Sequence, residues 1–312
     1  MFETLIHSMP AVGSLAIGSI LMAHVKSKGS SVLLHHATHG RLHSDHRTNH
    51  ALGEAVGIAS LAVDFDHYRM VHGKHHAFPS FAQAGLDMEA DDLIAMGFRP
   101  GRSKQELWRL FWMLPLNPAW HARQSWARLR ANFISGPPVR RRAAWRLWVG
   151  TGALAAATGA LPAFGGVLLT LLVAGNIGSY LELVSRHMWA VTPPQSGRAR
   201  QLALSRWRLP SPIVPERWTP TSAASFLGSV LMKTLVRVAA LPGDLPHHAA
   251  HHLTWDGGVR TGEPAWTDAA LAYSDRLRAD PGLREHVYGS LLEAVGAWID
   301  ALAKEPAIPA VR

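Results

Sequence analysis

The stretch HGKHH, residues 72–76, places His72, His75 and His76 at positions i, i+3 and i+4. On a helix these imidazoles share one face and reach a common point, which is how a helix offers several ligands to one metal ion. The spacing returns in HHAAHH, where His248, His251 and His252 repeat it, and in HHATHG, where His35 and His39 stand four apart. A single helical histidine is usually a core or surface residue. Three clusters with ligand spacing, in a chain of 19 histidines, require another account.

The chemistry is narrowed by what is missing. There is no cysteine, which removes thiolate zinc sites and iron–sulfur clusters, and no HExxH, the signature of zincin hydrolases. Imidazole suits zinc, copper, nickel and iron alike. The eight histidines of the three boxes exceed what one three- or four-ligand zinc centre needs, so two ions are the economical reading. Two irons held mainly by neutral imidazoles at a membrane face would imply activation of O2. Neighbouring histidines, His36, His43, His46, His50, His67 and His247, are not required by the spacing.

The elements that must position these boxes read as helices. With 48% hydrophobic and 17% charged residues, the 312-residue chain is apolar for a soluble protein carrying a net charge of +9, and a membrane class is favoured. Thr4 to Val25 contains no charged residue; at about 1.5 Å per residue this run matches the hydrocarbon thickness of a bilayer. It lacks a basic leader and a clear cleavage site, so an anchor over residues 4–25 is expected. The uncharged run from Leu147 to Leu181 is too long for one straight span; Pro162, Gly165 and Gly166 predict a hairpin of spans 147–161 and 164–181. Lys26, Lys28, Arg140, Arg141, Arg142, Arg146 and Arg186 flank these spans, which puts the three boxes, 35–39, 72–76 and 248–252, on the cytoplasmic side.

Shorter pieces complete the chain. Residues 51–63 predict a short helix against the membrane end of the spans; residues 107–131 mix tryptophan with arginine as an interfacial segment does; residues 222–241 predict an amphipathic helix. A C-terminal helical cap is expected over 265–305, with Asp280 and Pro281 at a helix start and a stripe of Leu283, Val287, Leu291, Val295, Trp298 and Leu302. No repeat or long linker divides the sequence, so residues 1–312 are treated as one domain. The fold expected is all-α: an integral membrane helical bundle with a cytosolic helical cap carrying a histidine-rich di-metal site.

In this order, HxxxH, HxxHH, a lone histidine after a hairpin, and a final HxxHH, the chain resembles the membrane fatty acid desaturase superfamily, which includes hydroxylases and carotenoid-modifying enzymes. The resemblance runs over roughly residues 5–255. HHATHG resembles the first box, with Asn49 and Gly53 of NHALG matching its Asn-x-x-x-Gly continuation; YRMVHGKHH resembles the second; ELVSRHMW resembles the region of the isolated ligand; PHHAAHHL matches the third. The resemblance implies nine ligands, His35, His39, His72, His75, His76, His187, His248, His251 and His252. It also implies two non-haem iron ions, O2 as co-substrate, and desaturation or hydroxylation of an unactivated C–H bond in a lipid or acyl-type substrate; a carotenoid or terpenoid hydroxylase or ketolase is the alternative.

Carboxylates near the boxes could orient ligand rings, since a metal-bound histidine usually gives its second N–H to a carboxylate or carbonyl. Glu182 and Asp244, with the amide of Asn49 beside them, are the leading candidates, and Glu54, Asp64 and Asp66 stand behind them. The sequence also departs from the family. Pro246 stands where some desaturases carry an asparagine, Phe78, Pro79 and Ser80 replace the usual Thr-Asn after the second box, and one span is found where a hairpin is usual.

Other classes fit less well. The high charge raises nucleic-acid binding, but the basic residues crowd beside apolar runs and no recognition motif is present. A histidine-rich metal transporter needs ionisable groups inside its spans, and apart from His7 and His24 there are few. No haem, ferredoxin or flavin module is visible, so a separate electron donor such as ferredoxin or rubredoxin, with its reductase, is expected. Arg128, Arg130, Arg140, Arg141, Arg142, Lys26 and Lys28 would offer an acidic carrier a basic surface.

Overall fold

A computed structural model describes residues 18, 21–22, 24–26, 28–77, 79–193, 196–208, 214–239, 252 and 287–307. Most of the expected 4–25 span, His248, His251, Asp244 and residues 265–286 of the expected cap lie outside them.

The described chain is almost wholly helical. In order come α1 (Leu34–Thr38), α2 (His46–Ala59), α3 (Phe65–His76), α4 (Met88–Met96), α5 (Lys104–Met113), α6 (Pro118–Arg130), α7 (Pro138–Ala157), α8 (Leu161–Leu169), α9 (Gly175–Arg186) and α10 (Gly197–Leu204). Then follow the two-residue strand β1 (Trp207–Arg208), α11 (Pro220–Ala239), β2 (Val287–Tyr288) and α12 (Leu291–Leu302). β1 and β2 pair in parallel. Local sequence explains the helix starts. Asp45, Asp87, Asn117 and Ser290 each accept a backbone N–H at a helix N-terminus, and Ser103 with Glu106 forms a reciprocal capping box.

Two helices occupy the apolar run, but their boundaries differ from the expected ones. The turn falls at Thr158–Ala160, with Gly159 in the left-handed region (φ +72°), and Pro162 sits inside the first turn of α8. Proline is tolerated there because the N–H it lacks would have no helical partner. A π-helical turn, Thr170–Ala174, joins α8 to α9, so Leu161–Arg186 forms one stretch long and apolar enough to cross a membrane. Among the described residues it is the one helix that meets this test. The expected helix start at Asp280 and Pro281 lies outside the described residues, which show α12. Ser290 caps it, and Val287 belongs to β2.

The chain forms two compact units. The first comprises residues 1–68, 117–179 and 238–242, and the second 69–116, 180–237 and 243–312.

In the first unit, Leu34, Ala37, Ala62 and Phe65 form a core with Leu42, Val56 and Tyr68 against it. Two glycines one turn apart on α2 make the packing possible. A Cβ at Gly53 would lie 2.7 Å from the Phe65 ring, and one at Gly57 would lie 3.3 Å from Arg140 Nη1. The guanidinium of Arg140 ion-pairs with Glu54 and donates to Ala62 O (2.8 Å), Val63 O (3.1 Å) and Asn132 Oδ1 (3.0 Å). Glu54 in turn accepts the N–H of Phe65, the first residue of α3. The network holds a strained link, since Leu61 has φ +49°, a left-handed value that β-carbons disfavour. Arg140 and Lys26, with only 3% and 2% of their surfaces exposed, are therefore not part of a basic surface; burial of their charges is the reason.

Candidate metal centre

The second unit gathers three histidines from distant parts of the sequence. His75 stands on the last turn of α3, His187 directly follows α9, and His252 comes from the third box; all three are buried. One ligand nitrogen from each lies within 4.8 Å of the others. The ring centroids are 4.7 to 5.0 Å apart. Phe81, fully buried, contacts all three rings, and Trp189 covers His75 and His187, so the group sits in an apolar lining.

The second box does not act as one face aimed at one point. His72 Nε2 and His76 Nε2 approach to 2.9 Å, while His75 turns to His187 and His252. The three ring centroids stay 4.5 to 5.8 Å apart, and the His76 ring also stacks on that of His252 at 4.3 Å. Positions i and i+4 stack almost one above the other, but i+3 is rotated from them, and tertiary neighbours decide which way its ring faces.

His75 Nδ1 lies 2.7 Å from Asp87 Oδ2, with both side chains fully buried. A carboxylate only accepts, so Nδ1 carries the proton and Nε2 keeps a lone pair for a metal. Burial alone would raise the Asp87 carboxyl, but the His75 imidazole and hydrogen bonds from His75, Ala82 N–H and Glu89 N–H outweigh it and hold the carboxyl below its ordinary value. Asp87 thus does three things at once: it caps α4, anchors the loop at Ala82 and orients His75. Glu89, 4.0 Å from His75 Nδ1, is bound at 2.7 Å by Arg186, which also pairs with Glu182 at 3.3 Å.

Asp87 and Glu89 were not singled out from the sequence. The signal available was an aspartate ahead of a helical run, which reads as an ordinary N-cap. Two alanines beside the group, Ala82 (φ +54°) and Ala190 (φ +56°), occupy left-handed conformations, and Ala190 N–H donates to Ala82 O at 2.9 Å. Burial drives the His187 pKa far below its usual value, and the neighbouring His75 and Arg186 lower it further, so its imidazole is neutral and fit to ligate.

In the first unit, His35 and His39 are buried one turn apart, their Nε2 atoms separated by 3.3 Å. Burial, with His36 and Arg41 nearby, lowers the His39 pKa to about 3. Asn49 acts on the backbone around this pair. Its Nδ2 donates to Ala37 O at 2.7 Å, and its Oδ1 accepts from Leu42 N–H and His43 N–H. Of the other carboxylates, Glu54 serves Arg140 and Phe65, Asp64 accepts the His67 N–H, and Asp66 pairs with the exposed His50.

The donor set fits a divalent first-row ion. Three buried imidazoles converge, one of them is backed by a carboxylate, and no thiolate competes. Residues 11–256 match the family model described as Fatty acid desaturase. No curated protein matches the chain, and no solved structure does.

Proposed function

Because this chain belongs to the fatty acid desaturase family, we propose that it is an O2-dependent, non-haem di-iron oxidoreductase of a membrane, acting on an unactivated C–H bond of a lipid or acyl-type substrate. The observation that carries the reading is the buried group of His75, His187 and His252, with Asp87 behind His75. The proposed ligand set is His35, His39, His72, His75, His76, His187, His248, His251 and His252. Bound iron supplies the oxidising chemistry that ends in an alkene or an alcohol.

The chain's own residues prepare for it. Asp87 holds the His75 proton on Nδ1 and so presents Nε2. The apolar surroundings of His187 keep its ring unprotonated. Phe81 and Trp189 keep water from the imidazoles of the group. The apolar stretch Leu161–Arg186 supports a membrane location, which suits a greasy substrate, and the flanking arginines support a cytoplasmic active site. Electrons come from a separate carrier such as a ferredoxin or rubredoxin.

The test is lipid product analysis by mass spectrometry, with the chain expressed beside a ferredoxin system and compared with His75→Ala. A new double bond or hydroxyl that disappears in the variant, together with about two irons per chain, is expected. Zinc alone, or identical products from the variant, would remove the reading.

A further inference from the structure

The family match ends at residue 256, yet the backbone that carries His187 is tied to a helix well beyond it. His187 leaves α9 and forms an isolated antiparallel bridge with Ser205. On either side, Met188 N–H donates to Leu204 O at 2.7 Å and Arg206 N–H to Arg186 O at 3.2 Å. Arg206, 1% exposed, then reaches two ways. Its guanidinium donates to Val184 O on α9 at 3.0 Å and to Ala294 O on α12. Trp298 of α12 donates its indole N–H to Trp189 O at 2.9 Å, and Trp189 donates its own to Leu183 O at 2.7 Å. The guanidinium also lies over the Trp298 ring, 5.7 Å from its centroid.

Apart from the Arg206 bond to Ala294, each of these bonds ends on residues 183–189, the segment on which His187 stands. His187 stands just past the end of α9, so the direction of its ring follows how its backbone is held. Trp189 is also the ring packed at 4.9 Å against His187 and 5.5 Å against His75. A shift of α12 would thus move both the His187 backbone and the wall of the site.

We propose that α12 is a working part of the metal site, and that Arg206 and Trp298 are positioning residues which fix His187. This rests on the metal reading above. The core contacts of α12 alone would be largely met by another apolar ring at 298; the buried hydrogen bonds to the His187 segment are what its tryptophan and Arg206 add.

The test uses the full-length protein, stripped with chelator and titrated with Co2+, following the ligand-field absorption and, separately, the thermal midpoint. Trp298→Phe keeps a ring but loses the N–H; Arg206→Gln keeps a polar chain but cannot hold both carbonyls. Leu302→Ala, in the same helix and fully buried, removes packing without touching residues 183–189 by hydrogen bonding. Trp298→Phe and Arg206→Gln are expected to weaken Co2+ binding about tenfold, the effect typical of losing an outer support of a ligand. Leu302→Ala is expected to lower the midpoint at least as much while leaving affinity within about twofold. In a His187→Ala background, Trp298→Phe should cost no further affinity. If Co2+ affinity follows the midpoint equally across all three variants, or if Trp298→Phe binds as the parent does, the positioning role is overturned. If the parent and His187→Ala bind Co2+ alike, it is the metal reading itself that fails.

Discussion

His75 and the first box are held in place by different means. At His75 the brace touches the ring, with Asp87 Oδ2 2.7 Å from Nδ1 and the same carboxylate also accepting from Ala82 N–H and Glu89 N–H. At the first box the brace is an amide that works on the chain around the ligands, as Asn49 fastens Ala37 O, Leu42 N–H and His43 N–H. A carboxylate on a ring sets tautomer and basicity; an amide on the backbone sets only position. Loss of the first should therefore read out in metal affinity, and loss of the second mainly in stability.

The largest effect separates ligands from everything that supports them. His75→Ala and His187→Ala should reduce product to background and lower bound metal, measured by elemental analysis, whereas His121→Ala should retain both. Metal content unchanged in both ligand variants would remove the three-histidine group from the site.

Next in size is a support that touches no histidine. Arg140→Leu leaves Glu54 without its buried partner and frees the carbonyls at the strained Leu61–Val63 link, so a loss of about 3 kcal/mol is expected as a fall in the denaturation midpoint. Were Arg140 a docking residue for the electron carrier, the variant would instead keep its stability and show a raised KM for the donor.

A pair of conservative changes probes the two braces directly. Asp87→Asn should weaken metal binding by about 10- to 100-fold in a competitive chelator titration, because an amide can present its N–H to Nδ1 and reverse the tautomer. Asn49→Ala should cost about 1–2 kcal/mol of stability while changing metal affinity far less. Equal metal loss in both variants would erase the distinction between them.

The remaining effect is a pH dependence of the metal-free protein. The His39 pKa is depressed to about 3 in the fold, so below its ordinary 6.5 the unfolded chain takes up a proton that the folded chain refuses. Stability should fall as pH drops through that window, by about 1.4 kcal/mol per pH unit for one such group. His187 acts in the same direction, again mainly through burial. Asp87, also depressed, adds its loss only in the acid range below about pH 4. A thermal midpoint that stays flat from about pH 7 to 5 in chelator-treated protein would contradict this.

The histidine pairs are legible in the amino-acid string because helix periodicity is local. His35 and His39, or His72 and His76, are brought together by four residues of regular backbone whatever surrounds them. The apolar run over 147–181 is legible for a similar reason, since length and lack of charge are properties of the string. Its turn is not, because Pro162 reads as a breaker unless one knows that it falls in the first turn of α8, after Gly159 has already reversed the chain. His187 carries no spacing signal and is found only through resemblance to a family.

What tertiary structure alone decided is the meeting of His75, His187 and His252, the rotation of His75 away from His72 and His76, and the assignment of Asp87 to its ring. It also took Arg140 out of the basic surface and put it in the core. These outcomes depend on which groups remain in contact once water is excluded. Charge, polarity and local period do not encode this, because the partner that neutralises a buried group can come from any distance along the chain.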